Sequence, residues 1–384
     1  MPAQTVVVLG GGTGGMVAAT ALRKHLGDDH RVVVVERSPT YRFAPSFLWV
    51  MNGSRRPEQV TKNYSGLRSR GVELVQAEAL EIDAPDRVVK TTDGALAYDR
   101  LVIALGTELV PDAVPGFSEA VHNFYSLEGA VAARHALESF SGGSVVVLVA
   151  RLPYKCPAAP YEAAFLAEAL LRAKGVRAET SIDIYTPEPL PMPTAGVELG
   201  QALVAVLGER GIGFHPGQTI ERIDAASHRL MFQGGAEAPY DLVLGVPPQR
   251  APEVVTRSAL ANDSGYVPVD RASLITADQA VYALGDISAI PLAGDKFLPK
   301  AGVFAHAEAK VVAARIAADL TGRPTEAAFD GKGACFVELG EGAAAYATGD
   351  FFAEEGPRIR LRRPGRHWHL AKVAFEKFWM HRWP

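Results

Sequence analysis

Cysteine is scarce in this chain of 384 residues: there are two, Cys156 and Cys335. Two thiols so far apart make neither a disulfide framework nor a four-ligand zinc site, so no metal centre is expected. Long apolar runs are missing as well. No stretch of roughly 18 or more apolar residues occurs, so no segment is predicted to cross a bilayer as a helix. Nor does one sign of charge dominate. Lys and Arg number 39 against 43 Asp and Glu, a formal net charge of -4, which argues against general nucleic-acid binding. The chain opens Met-Pro-Ala-Gln-Thr and runs straight into a strand pattern, without a basic region and cleavage site. A body on the cytoplasmic side is therefore expected. Its length suffices for two sizeable cores.

What is present begins with a nucleotide-binding pattern. Thr5–Leu9 is a short β-branched apolar run, as in a strand covered on both faces. Gly10-Gly11-Gly12-Thr13-Gly14-Gly15 follows, matching G-x-G-x-x-G on Gly10, Gly12 and Gly15. A helical stretch over Met16 to Leu26 and a second strand, Arg31 to Val35, lead to Glu36. Gly10 permits the tight turn, Gly12 lets the backbone approach a pyrophosphate, and Gly15 lets helix and strand pack closely. Glu36 would accept from ribose hydroxyls. Tyr41 to Val50 is an aromatic loop suited either to lie along a flat ring system or to cap the core. Tyr98 to Thr107 is a buried strand ending in the Gly106 turn. Ala280 to Leu284 is another, ending in Gly285-Asp286, where the aspartate could hold a sugar hydroxyl or simply cap a helix.

The plan repeats. VVVLGGG at 6–12 is echoed by VVVLVAR at 145–151, and YDRLVIALGT at 98–107 by YDLVLGVPP at 240–248. The second copy has no glycine in its turn. Residues 150–155 are Ala-Arg-Leu-Pro-Tyr-Lys, followed by Cys156 and, six residues on, Glu162. A dinucleotide fold that lost its second loop and gained a thiol is the central clue. The expected architecture is α/β, with two Rossmann-like units, the second inserted in the first. Residues 1–105 and 266–330 form one, 106–265 the other, and 331–384 a C-terminal region carrying Cys335.

Acid is nearly absent from the tail. Gly356 to Pro384 carries eight Lys or Arg residues against Glu376 alone, and three of the four tryptophans. Trp368, Phe375, Phe378, Trp379 and Trp383 fall near helical spacing. This suits an amphipathic segment at a membrane headgroup boundary, or a helix docked on the protein's own core or on another subunit.

Several stretches together resemble the FAD-dependent pyridine nucleotide–disulfide oxidoreductases. They are GGGTGG with Glu36, ALGT, ALGD at 283–286 and PKAGVFAHAEA at 299–309. YKCPAAPYE at 154–162 and GACFVELG at 333–340 narrow the resemblance to the sulfide:quinone oxidoreductase and flavocytochrome c sulfide dehydrogenase branch. The resemblance implies a Cys156/Cys335 redox pair over the flavin, with Glu162 as proton carrier and Lys300 near the pyrimidine end of the ring. It further implies FAD held by Gly10, Gly12, Gly15, Glu36, Gly106 and Asp286. Many members carry a third, upstream cysteine; residues 1–155 contain none, so the flavin is not cysteine-linked.

The activity expected is oxidation of sulfide to persulfide or sulfur through Cys156 and Cys335, with electrons passed from FAD to a membrane quinone. The protein would lie peripherally on the membrane surface through its tail, with homo-oligomers possible. Two alternatives stand beside it. One is a membrane-associated NADH:quinone reductase, which needs the glycines that residues 150–155 lack. The other is a non-catalytic, persulfide-binding scaffold.

Overall fold

The computed structural model describes residues 2–383. Two five-stranded sheets, every strand parallel, organise the chain. In the first, the spatial order is Val281–Ala283, Arg100–Ile103, Thr5–Leu9, Arg31–Val35, Glu73–Val75. In the second it is Val121–Asn123, Leu242–Val246, Gly143–Val149, Thr180–Tyr185, Ile212–His215. Val6, Val7, Val8 and Leu9 are fully buried, as are Val145, Val147, Leu148 and Val149. These central strands are covered on both faces, by helices on one and by an antiparallel meander on the other, which is why the segments are apolar without alternation.

The repeat extends beyond the sheets. Each unit inserts a three-stranded antiparallel meander: Ala79–Asp83, Val88–Thr91 and Gly94–Ala97 between Glu73–Val75 and Arg100–Ile103 in one, Ile220–Asp224, Arg229–Phe232 and Glu237–Pro239 between Ile212–His215 and Leu242–Val246 in the other. The units differ in their outer edge. The first recruits Val281–Ala283 after the second unit is complete, so the chain leaves the first sheet and returns to it. The second recruits Val121–Asn123, which precedes its central strand.

Several predicted elements shift. The helix after the first glycine turn starts at Thr13, three residues earlier than its composition suggests. The aromatic segment at 41–50 is not a loop: Phe47–Met51 forms a short helix, wholly buried in the core of the second unit. Capping the core, rather than lying along a ring, is the role these contacts support. Gly331 to Tyr346 divides into an antiparallel pair, Lys332–Gly340 and Ala343–Asp350, joined by a third strand, Arg358–Gly365. Arg358, Arg360, Arg362 and Arg363 thus belong to a strand, and only Arg366–Arg382 is the tail helix.

That helix docks on the body. Trp379 and Trp383 are buried, and the Trp379 indole N–H donates to the Tyr41 hydroxyl at 2.8 Å. Glu376 accepts from Ser46 Oγ at 2.6 Å and pairs with Arg55 at 2.7 Å. At its C-terminal end, where carbonyls lack intrahelical partners, Lys62 donates to the Met380 carbonyl and Arg70 to that of Arg382. Leu370 and Phe378 are exposed away from the body, and Phe375, beside the Phe43 and Trp379 rings, is exposed at the margin of the docked face. The aromatic residues predicted for one surface are therefore split between core and solvent. No helix among the described residues is long and apolar enough to cross a membrane.

The glycine turn separates packing from binding. A β-carbon on Gly15 would lie 1.8 Å from the Gly10 carbonyl oxygen, and one on Gly10 2.5 Å from that of Ala104. A β-carbon on Gly12 would meet nothing within 4 Å. Gly12→Ala should leave the unliganded protein folded, with little change in melting temperature, while abolishing retention of a dinucleotide. Gly15→Ala should destabilise the fold itself by about 3 kcal/mol or more, since backbone blocks the added carbon. Thermal melts and the bound chromophore of both purified variants check this.

Candidate functional site

The dinucleotide half is built on the first unit. The helix Thr13–Leu26 has Gly12 at its N-cap, no capping side chain and no acid in its first turn. Its orphan N–H groups and positive dipole end are thus left for an anion. Glu36, placed after the second strand, accepts from the Gly11 N–H at 2.6 Å and from the Ser38 N–H at 2.7 Å. Both bonds fix the carboxylate beside the turn and leave lone pairs for further hydroxyls. Gly106 has a φ of 65° and open space where a side chain would stand.

Asp286 lies in a single 3-10 turn, Gly285–Ile287, rather than at the start of a longer helix. Its carbonyl accepts from Lys300 Nζ. Lys300 lies two residues before the helix Gly302–Thr321, with its ammonium 3.7 Å from the centre of the Tyr266 ring. Burial pushes Lys300 down to about 8, against the opposing charges of Asp286 and Glu308. Glu308 was not singled out from sequence, though it lies in the PKAGVFAHAEA stretch. It is buried, accepts from the Gly285 N–H at 2.6 Å, and burial pushes it up to about 8. Two buried polar atoms nearby have no protein partner, the Tyr266 hydroxyl and Gln249 Nε2. Gln249 Oε1 is taken by Thr107 Oγ1 and the Lys155 N–H, both at 3.1 Å. An uncapped helix, an open Gly12 face and orphaned polar atoms around Lys300 are what a flavin dinucleotide would complete.

Cys156 is tied directly to this region: its N–H donates to the Lys300 carbonyl at 2.7 Å. It sits just before the helix Ala159–Ala173, which places Glu162 one turn on, buried. Cys335 is on the strand Lys332–Gly340 and is exposed. Helix and strand are joined through Glu162, whose Oε1 accepts from the Glu338 N–H at 2.6 Å. The same oxygen accepts from Lys372 Nζ at 2.7 Å. No protein hydrogen bond to Oε2 occurs among the described residues, which leaves that oxygen available to a thiol proton. The two cysteines lie within electrostatic reach of each other and of Glu162.

Lys372 and Glu338 are site residues that sequence reasoning missed. Lys372 comes from the tail helix, is buried, and lies 2.7 Å from Glu162 and 3.9 Å from Glu338. Glu338 in turn meets His369 Nδ1 at 3.0 Å. Neither carries a signal in the sequence: Lys372 reads as one more basic residue of the tail, and Glu338 as one acid in a strand pattern. Burial would lower the Lys372 pKa, but Glu162 and Glu338 outweigh it and hold the ammonium above its ordinary value. Burial raises Glu338, with Lys372 and His369 opposing.

Both thiols are pushed up. For Cys156 desolvation leads, then the negative charge of Glu162 and the other sulfur; Lys372 and the Ala159 N–H pull the other way. For Cys335 the value rises to about 11, through desolvation by the protein around it and then Glu162, with Lys372 opposing. Thiolate is the reactive form. Alkylation of Cys335 by iodoacetamide in a Cys156→Ala variant should therefore climb about tenfold per pH unit from pH 7 to 10. No plateau is expected until near pH 11. Lys372→Met should slow that alkylation at fixed pH. It should also destabilise the fold by roughly 3–5 kcal/mol, because Glu162 is left buried and uncompensated, and adding Glu162→Gln should recover much of the loss. Denaturant melts of the single and double variants measure it.

Similarity to known proteins extends over nearly the whole chain. The family model for pyridine nucleotide-disulphide oxidoreductases matches residues 4–309. The mitochondrial sulfide:quinone oxidoreductase of Mus musculus is 26% identical over 74% of this chain, a match spanning 66% of the mouse protein. The sulfide-quinone reductase of Aquifex aeolicus is 28% identical over 98% of this chain and 90% of its own length. The crystal structure of the Aquifex aeolicus sulfide:quinone oxidoreductase superposes with a TM-score of 0.89, covering 98% of this chain and 91% of that one at 26% identity. The glycine turn and Glu36 lie within the matched residues, and the chain belongs to the pyridine nucleotide-disulphide oxidoreductase family, as an FAD flavoenzyme of its sulfide:quinone oxidoreductase branch.

Proposed function

We propose that this protein oxidises sulfide to a persulfide or sulfur product through Cys156 and Cys335 and passes the electrons to a quinone. The observation that carries the reading is that the helix after Cys156 and the strand bearing Cys335, far apart in the chain, are joined through Glu162, with the Cys156 N–H on the Lys300 carbonyl. Hydrosulfide attacks one sulfur of a Cys156–Cys335 disulfide or sulfur bridge. One S–S bond forms, one breaks, and the products are a cysteine persulfide and a thiolate. Lys372 offsets the negative charge that appears on the thiolate. Glu162 Oε2 takes up and releases the proton that sulfide brings. FAD would be held non-covalently by Gly10, Gly12, Gly15, Glu36, Gly106 and Asp286 and would supply a two-electron acceptor between the thiols and the quinone, with Lys300 offering a cation to the pyrimidine end of its ring.

Resistance to nicotinamide nucleotides follows from the second turn. Arg151 and Pro153 stand where close backbone approach to a pyrophosphate would need glycine, and Arg151 is anchored to the Ile220 carbonyl. Anaerobic sodium sulfide should bleach the flavin band and a short-chain quinone should restore it, whereas NADH should not. Cys156→Ala should keep its flavin and lose bleaching by sulfide. Bleaching of that variant at the wild-type rate would reject the cysteine mechanism.

The exposed face of the tail helix, Leu370, Phe375 and Phe378 with Lys377 beside them, suits the headgroup boundary where a lipid-soluble quinone would be met. Replacing those three apolar residues by serine should move the protein from the vesicle pellet to the supernatant in co-sedimentation. Dithionite reduction of its flavin should be unaffected.

A further inference from the structure

The two sheets share a connectivity in which an acid after the second strand reaches back to the loop after the first. In the first unit Leu9 pairs with Val35, and the next residue, Glu36, accepts from the Gly11 N–H. In the second unit Leu148 pairs with Tyr185. Three residues beyond, Glu188 reaches back in the same sense but meets no glycine turn. The Tyr161 hydroxyl donates to its Oε2 at 2.5 Å and the Tyr154 hydroxyl at 2.9 Å, with Thr186 Oγ1 at 3.4 Å. Glu188 is 2% exposed, Tyr161 is fully buried and Tyr154 nearly so. Where a second nucleotide would offer ribose hydroxyls, the chain offers phenols of its own.

We propose that this former nucleotide acid has become the mount of the Cys156 loop, with Glu188 as its positioning residue. Tyr154 is two residues before the thiol, and its hydroxyl also approaches the Pro157 carbonyl, one residue after it, at 3.3 Å. The Glu188–Tyr154 bond therefore grips the loop on both sides of Cys156. From the other side the Tyr125 hydroxyl donates to the Lys155 carbonyl at 2.9 Å and lies 3.2 Å from that of Cys156. Such over-determination is what Cys156 requires, because its φ is 53°, left-handed for a residue with a β-carbon. Filling the space alone would not require a carboxylate. An apolar side chain would do so without the desolvation that pushes Glu188 above its ordinary value against three hydroxyl groups. Its use is to accept two phenols at one oxygen and so fix Tyr154 and Tyr161 relative to each other.

The effect on turnover rests on the proposed role of Cys156; the effect on the loop does not, and the test separates them. In holoprotein carrying Cys335→Ser, iodoacetamide alkylation of Cys156 is timed with Glu188, Glu188→Gln, Glu188→Ala or Tyr154→Phe. Sulfide bleaching is timed in the same series with Cys335 intact. Glu188→Gln keeps an oxygen that accepts from both phenols and should stay within about twofold of wild type in both assays. Glu188→Ala should change alkylation at least threefold and slow bleaching roughly tenfold or more, with Tyr154→Phe in between. Flavin content and dithionite reduction should hold constant. Wild-type alkylation rates in Glu188→Ala and Tyr154→Phe, or in Tyr154→Phe alone should the alanine variant not fold, would overturn the mount. So would a Glu188→Gln variant as impaired as the alanine one. A wild-type flavin indifferent to sulfide would sink the sulfide reading, while the alkylation series would still decide the mount.

Discussion

The ion pair between Lys372 and Glu162 is the contact on which the site depends. Three parts of the chain meet there: the helix after Cys156, the strand bearing Cys335 through the Glu338 N–H, and the tail helix through Lys372. A buried pair of this kind adds little net stability against an apolar equivalent, yet its rupture strands a charge in the interior. It therefore acts as a register. The tail helix has one seating that neutralises Glu162, and in that seating Glu376 also meets Arg55 and Ser46 while Trp379 meets Tyr41. The same cation lowers the pKa of both thiols where Glu162 raises it, so one lysine serves the fold and the electrostatics of both cysteines.

The tail links the two halves of the site. Tyr41, the partner of Trp379, lies in the same buried cluster as Met16 and Val17 of the helix over the glycine turn. A helix whose outer face suits a membrane thus has its inner face bonded next to the dinucleotide turn and to the acid beside the cysteines. Flavin, sulfur and quinone chemistry would then share one rigid frame instead of being joined by a flexible arm.

The duplicated unit shows how one architecture supports two outcomes. In the first copy, the glycines clear backbone for a pyrophosphate and leave a helix N-terminus uncapped. In the second, a tyrosine and a cysteine occupy the corresponding loop, and an acid in nearly the same topological place holds protein hydroxyls. The fold is preserved because the buried valine strands specify it. The loops that follow those strands are free to change chemistry.

Much was legible in the sequence because it depends on local chemistry. Apolar β-branched runs specify the parallel strands, glycine spacing the turn, and two echoed stretches the duplication. The motif resemblance named the family and both cysteines. Other features needed tertiary structure, since they arise between segments with no sequence relation. Lys372 looked like one more basic residue of an amphipathic tail until the fold placed it against Glu162, and Glu338, Glu308, Gln249 and Tyr266 carry no spacing signal. The tail's aromatic residues are divided between core and surface by the groove they meet, which periodicity cannot reveal. Hydrophobic pattern and glycine geometry are properties of neighbours in the chain, whereas the partner of a buried charge is decided only when the interior closes around it.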